Sequence, residues 1–382
     1  MIYKRDINKK LFPLVLLFSG VIFMGMGPFS PAYFVIVLQT FLILIYFSFI
    51  KIKRDNLNLS IVICLFYFLI EIFVHPKGDI HVGILYCLNL LTLLFFVLLF
   101  PNINNRNIVK YSMTFIHGSI VLMFIELIIR LRANSFNISE FKSPLFFVKG
   151  FYVYKFKSIL GKDTNFTATY ILSVLCFLNY LSFRFNKKYI IEKLLLVFFL
   201  FFTFCRSSWL SSFVSFFLLK FLFSKQKLNK KRLFCVAAIV IIFLLSALTI
   251  LASDESFQTK ILIWNETLRF LTKMPMNTAL WGLGYLGSYD FIGWLTAHAL
   301  IPTLIMDTGV VGLVLYFAIW KNLLKKSDGW CLYILLPIFI FGLSFIQNLI
   351  PYVYMFSYII IKCEENIKKT NGIAILKKES QR

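Results

Sequence analysis

An all-α polytopic membrane protein is the fold this sequence predicts, with about twelve transmembrane helices and a large outer loop between spans nine and ten. Three observations lead there. Apolar residues make up 59% of the 382 and the mean hydropathy is +0.81, whereas soluble domains are only about 45–50% apolar. Only 15% of residues are charged, well below the roughly 25% of a soluble domain. Apolar runs of about 17–25 residues recur along the chain, the length a helix needs to cross about 30 Å of hydrocarbon. The runs are continuous and do not alternate, which excludes an outer-membrane β-barrel.

The predicted spans fall at 11–27, 32–50, 57–75, 81–100, 111–131, 163–183, 189–205, 208–224, 233–252, 297–319, 330–347 and 351–362, forming a single transmembrane domain over 1–382. Residues 4–24 resemble a signal sequence, with Lys4, Arg5, Lys9 and Lys10 before an apolar run. No small-x-small cleavage site follows, so this run is expected to stay as the first span. The net charge is +23. With the N-terminus inside, cytoplasmic segments hold 28 of the 40 Lys and Arg, and the outer side holds 12. That asymmetry predicts both termini in the cytoplasm, with 363–382 as a cytoplasmic tail. The basic excess is therefore a topology signal and excludes a nucleic-acid surface. The seven cysteines form no C-x-x-C pair and fall mostly in spans or cytoplasmic segments. Neither a disulfide framework nor a zinc site is expected.

Two outer stretches are too long and polar for simple turns, and long connections tend to carry function. The first, 132–162, sets Lys142, Lys149, Lys155, Lys157 and Lys162 among aromatic residues. The second is 253–296. Within it, Phe257, Ile261, Trp264, Leu268 and Leu271 share one stripe of a surface amphipathic helix, with Glu266, Arg269 and Lys273 opposite and Lys260 at its edge. Ser253 and Ser256 are candidate N-caps for it.

Four places could carry chemistry. Gly282-Leu283-Gly284-Tyr285-Leu286-Gly287 matches G-x-G-x-x-G. It neither follows a strand nor opens a helix of a βαβ unit, so a tight outer turn is expected and nucleotide binding is not. His298 opens the tenth span and, on a straight helix, shares a face with Gly309 and Gly312, which would let another helix approach closely. Asp307 would lie about 13 Å deeper by helix rise, where an acid is a candidate functional group. Arg206 tips a short polar break between two apolar runs, where a guanidinium can grip phosphate oxygens. Two other buried acids look structural: Glu126 has Arg130 as its i+4 partner, and Glu71 sits near a span end.

Taken in order, these parts resemble the O-antigen polymerase and O-antigen ligase superfamily of bacterial membrane glycosyltransferases, over roughly the last two thirds of the chain. Asp163-Thr164-Asn165-Phe166-Thr167-Ala168 is similar to the family's Asp-Pro-Asn-x-x-Ala span start, with Thr164 for proline. Arg206-Ser207-Ser208 resembles its arginine turn, with Cys205 for the preceding serine. Lys260 through Trp264 resembles the Arg-x-x-x-Trp start of the outer loop, with Lys for Arg, and Pro275, Gly282 and Gly284 fit the stretch that follows. His298, Gly309 and Gly312 keep the spacing of His-Asn-x9-Gly-x-x-Gly, with Ala299 for Asn and Asp307 where Glu is usual.

The resemblance implies a metal-independent enzyme without cofactor in the bacterial inner membrane. It would transfer a glycan from a polyprenyl pyrophosphate carrier to a sugar hydroxyl of another lipid-linked repeat unit, in O-antigen, lipopolysaccharide or capsule biosynthesis. His298 would deprotonate or orient the acceptor, and Arg206 would stabilise the diphosphate. Lys260, Arg269, Lys273, Asp163, Asn165 and Asp307 would contact substrate, while Gly282, Gly284, Gly309 and Gly312 would be structural. The lipid-linked oligosaccharide and the bilayer are its implied partners, and a chain-length regulator is a further one the family allows. The polymerase branch is favoured over the ligase because the sequence is small, divergent and aromatic-rich and departs from the His-Asn pair. A lipid-linked oligosaccharide flippase is the rival from another class. It would show two related halves with broken helices near the midplane, whereas here the marked residues concentrate in the second half.

Overall fold

A computed structural model describes residues 55–99, 103–134, 154–160, 163–223, 255–293, 297–345 and 351–379. The helices among them are α1 (Asn56–Val74), α2 (Ile80–Leu99), α3 (Asn105–Ala133), α4 (Thr164–Arg184), α5 (Ile190–Phe202), α6 (Arg206–Leu222), α7 (Glu255–Lys273), α8 (Met276–Trp281), α9 (Gly287–Ile292), α10 (Leu300–Lys326), α11 (Leu332–Gly342) and α12 (Pro351–Glu379). There is no β-strand among the described residues, only an isolated bridge between Phe156 and Asp163. Five helices, α1, α2, α3, α4 and α10, are long and apolar enough to cross a membrane. The predicted spans 11–27, 32–50 and 233–252 lie outside the described residues.

Local chemistry sets the helix starts. The side chains of Asp55, Asn104 and Asp163 accept the amides of Asn58, Asn107 and Asn165, so α1, α3 and α4 begin on N-caps. The Asn104 cap starts α3 at Asn105, ahead of the expected 111, because capping outweighs the polar first turns. The last helix also differs from expectation. The span expected at 351–362 continues through the predicted tail to Glu379. Glu364 holds that extension to the bundle, accepting from Arg184 at 2.8 and 2.9 Å and from the Tyr180 hydroxyl at 2.9 Å.

At the centre is α4, buried over most of its length, against α5, α6, α11 and α12. Its polar groups are satisfied inside the bundle: the Thr169 and Ser173 hydroxyls donate to carbonyls one turn back, and the Tyr170 hydroxyl meets Ser119 at 2.6 Å. A second group, α1, α2 and α10, packs alongside, with α12 against α2. The cysteines Cys64, Cys87, Cys176, Cys205, Cys331 and Cys363 are buried and free.

The Glu126–Arg130 pair forms as the spacing suggested, at 2.8 Å, and both side chains are buried. Arg130 also donates to the Tyr154 carbonyl at 2.8 Å and the Phe202 carbonyl at 2.9 Å, tying the end of α3 to the 154–160 segment and the end of α5. Arg130→Ala would strand the Glu126 carboxylate and two carbonyls, and is expected to cost about 3–5 kcal/mol. A fall in the melting temperature of the detergent-purified protein reports it, and Arg130→Ala with Glu126→Ala should recover part of the loss.

Candidate active site

The start of α4, the α5–α6 turn, the start of α10 and the end of α11 meet at one end of the bundle. Thr164 Oγ1 donates to the Thr203 carbonyl at 2.7 Å, joining α4 to the α5–α6 turn. The Phe166 and Phe345 rings meet edge to face at 5.1 Å, joining α4 to the chain after α11. The Trp264 indole N–H reaches the Leu343 carbonyl at 3.4 Å, so α7 lies across the same end.

The tenth span is not one straight helix. Gly309 sits at φ 67°, ψ −177°, a left-handed-side conformation that breaks α10. A break inside an apolar segment frees carbonyls that need other donors, and the chain supplies them. The amides of Leu283 and Gly284 donate to the Met306 and Asp307 carbonyls at 2.8 and 3.1 Å, and the Tyr67 hydroxyl donates to the Thr308 carbonyl at 2.6 Å. The Gly282–Gly287 segment is therefore a tight turn, as expected, and it docks on the break. A Cβ on Gly309 would lie 2.0 Å from the Leu280 carbonyl oxygen, and one on Gly282 would lie 2.5 Å from that of Asp307. Gly309 therefore does admit a close helical approach, but at a break and not on a straight face: it receives the end of α8, at Leu280 and Trp281. Gly312 also receives a helix, since its Cβ would come 3.1 Å from the Tyr67 ring of α1.

Asp307 lies just ahead of the break, in the regular part of α10. Its side chain is fully buried beneath the turn and faces the Leu286 and Ser288 amides, while neither oxygen completes a hydrogen bond. Tyr285, inside the turn, anchors the arrangement by donating to the Phe68 carbonyl at 2.8 Å. The anchoring role of Tyr67 and Tyr285 was missed from sequence, where a tyrosine in an apolar run carries no signal of its partner.

His298 lies just ahead of α10 in non-helical chain, on Ala299 as N-cap residue. His298 is exposed at the surface, yet the protein packed around it desolvates the imidazole enough to lower its pKa below the ordinary value. The Asp163 carboxylate acts to raise that pKa and the Lys260 ammonium to lower it further, so all three side chains share one electrostatic neighbourhood. The residues come from three separate elements: Asp163 caps α4, Lys260 rides α7, and His298 precedes α10. Asp163 is fixed by two contacts, from the Asn165 amide at 2.8 Å and the Asn165 side chain at 3.0 Å. Asn165 thereby holds in place the carboxylate whose charge acts on the histidine.

Arg206 is the first residue of α6, half-buried, beside the Thr203 carbonyl that accepts from Thr164. It belongs to the same end as His298. Arg269 and Lys273 do not join the group. At 100° per residue Arg269 is on the opposite side of α7 from Lys260; it pairs with Glu266 at 3.2 Å and lies over the Phe291 ring at 5.7 Å. Lys273 is exposed in the last turn.

The packing of α7 corrects the expected stripe. Ile263, Thr267 and Phe270 are its buried line, against Ala297, Ile305 and Met306, while Ile261 and Leu268 are 47% and 59% exposed. Apolar residues border both edges of this helix, and tertiary contact with α10 selects one. Of the expected caps, Ser253 lies outside the described residues, as does the Phe257 side chain, while Ser256 is corrected: α7 begins at Glu255, so Ser256 lies inside the helix and is not its N-cap.

Among the described residues no group of three or more His, Cys, Asp and Glu side chains converges on a point that could hold a metal ion. Compared with protein-family models and with curated proteins, the chain matches none.

Proposed function

We propose that the chain is a polysaccharide repeat-unit polymerase of the bacterial inner membrane, with twelve spans, cytoplasmic termini and the His298 end facing outward. The observation that carries this reading is the grouping of His298 with Asp163 and Lys260 at the bundle end that also holds Arg206. A lowered pKa favours the neutral imidazole near neutral pH, with a lone pair able to accept a proton. In the reaction the acceptor sugar hydroxyl attacks the anomeric carbon of the lipid-linked glycan. The bond from that carbon to the diphosphate oxygen breaks, and polyprenyl diphosphate leaves with both electrons. The hydroxyl proton passes to His298, held in orientation by Asp163. Lys260 and Arg206 would offset the charge that develops on the diphosphate. The N-termini of α4 and α6 add positive potential at the same end.

The test is the glycan ladder of cells carrying His298→Ala or Arg206→Ala at normal membrane abundance. Each variant is expected to lose long chains and keep a single repeat unit. Unchanged chain length and amount in both would sink the reading. Accumulated lipid-linked polymer would mark a ligase, and transport without bond formation in proteoliposomes would mark a flippase.

A further inference from the structure

Two adjoining cavities open between α4, α5 and α6, running from the end of α4 opposite His298 back toward the α5–α6 turn. One, of about 740 Å³, is walled largely by apolar side chains including Leu175, Leu200, Phe201 and Phe213. The other, of about 1250 Å³, is rimmed by Arg184, Lys187, Lys188, Lys193 and Lys220. The two share Lys193, Lys220, Val197 and Phe216, so an apolar chamber leads directly into a basic mouth. Among the described residues, no Asp or Glu lines either compartment.

The parts are arranged by depth. Lys193 Nζ donates to Ser182 Oγ at 2.8 Å, which holds its ammonium at the junction of the compartments. Arg184 is taken up by Glu364 and by the Trp330 ring, 4.9 Å away, which leaves the lysines to set the charge of the mouth. Trp330 stacks on Phe223 at 4.4 Å beside the mouth, an aromatic pair of the kind found at headgroup depth. The chamber opens sideways through Val197 and Phe216, exposed at 51% and 50%, where acyl chains would surround the helices.

We propose that these compartments bind an anionic glycerophospholipid from the surrounding leaflet, with its phosphate at Lys193 and Lys220 and an acyl chain in the apolar chamber. Basic pockets between membrane helices recognise anionic headgroups in this way. The charge of the mouth selects the headgroup, and the lateral opening selects a lipid over a soluble phosphate. The phosphate site at the mouth is separated from the start of α4, where Asp163 faces the proposed reaction, by most of the length of that helix, about 30 Å by helix rise.

Native mass spectrometry of the purified full-length protein tests this, with phosphatidylglycerol, phosphatidylcholine of the same chains and a polyprenyl phosphate as probes. Phosphatidylglycerol is expected to bind more tightly than phosphatidylcholine. Lys193→Gln with Lys220→Gln should weaken it about thirtyfold, from roughly fivefold per lysine. Val197→Trp should lose the lipid by filling the chamber while every lysine remains. Lys321→Gln with Lys325→Gln, exposed cations outside both compartments, should leave binding unchanged. Equal binding of the two phospholipids, equal loss in the Lys321 and Lys325 pair, or a polyprenyl phosphate binding in place of phosphatidylglycerol would overturn the proposal. Should Val197→Trp fail to fold, the two lysine pairs still decide it.

Discussion

Replacing Gly309 by alanine is expected to unfold the bundle or leave a protein that melts far below the parent. Two costs act together. The backbone is held at φ 67°, where a residue with a Cβ is strained by about 1–3 kcal/mol. The new Cβ would also sit 2.0 Å from the Leu280 carbonyl oxygen, with the Leu280 carbonyl carbon and the Trp281 amide nitrogen at 2.4 and 2.6 Å. Those atoms are backbone at the end of α8 and cannot rotate away, so α8 and the turn that follows it must lift off α10. Lifting strips the Met306 and Asp307 carbonyls of their donors, each loss costing about 1–3 kcal/mol for a buried group. The total, about 4 kcal/mol or more, is a large share of the roughly 5–15 kcal/mol that holds a domain folded. Gly293 is the control. It has φ 91° but nothing within 4 Å of its Cβ position, so Gly293→Ala should carry only the conformational cost, about 1–2 kcal/mol. Melting curves in detergent compare the two, and an unchanged melting temperature for Gly309→Ala would contradict the docked turn.

His298→Ala should lower polymer formation by about 10²–10⁴-fold, the usual worth of a positioned base, without changing the amount of folded protein. The pH dependence separates a base from a structural histidine. A base works as neutral imidazole, so activity should rise with pH through the His298 pKa and then level off. Burial lowers that pKa, which places the rise below the ordinary histidine value of about 6.5. The two neighbours act with opposite signs. Removing the Lys260 charge with Lys260→Met should raise the pKa and move the rise to higher pH. Removing the Asp163 charge with Asp163→Asn should lower it and move the rise to lower pH, while asparagine keeps the α4 cap. Rates across pH in a reconstituted assay measure both shifts. Shifts of the same sign would mean that His298 is not the titrating group.

Some of this site could be read before any folding was considered. His298 and Arg206 stand out because polar residues at the ends of apolar runs have few other roles, and Glu126 with Arg130 follows from one helical turn of spacing. The choice among Lys260, Arg269 and Lys273 could not be read. All three sit on one amphipathic helix with apolar residues at both edges. Only the burial of Ile263 and Phe270 against Ile305 and Met306 sets the rotation that brings Lys260, and not Arg269, toward His298. The electrostatic coupling of Asp163 to His298 joins residues more than a hundred positions apart, which no local pattern encodes.

Composition and spacing were enough for the helical class and for the bounds of α1, α2 and α4 to within a residue, whereas α3 starts earlier and α10 and α12 run further than expected. The first three depend on neighbours in the chain, through helix length against hydrocarbon thickness. The course of the tenth span depends on partners far away. Gly309 and Gly312 in an apolar run suit a packing face as well as a break, and local propensity does not choose between them. The choice falls to the amides of Leu283 and Gly284 and the hydroxyl of Tyr67, which reach the Met306, Asp307 and Thr308 carbonyls only once the Gly282–Gly287 turn and α1 have docked. A broken helix persists in an apolar interior only where such donors arrive, so its shape is a property of the assembled bundle.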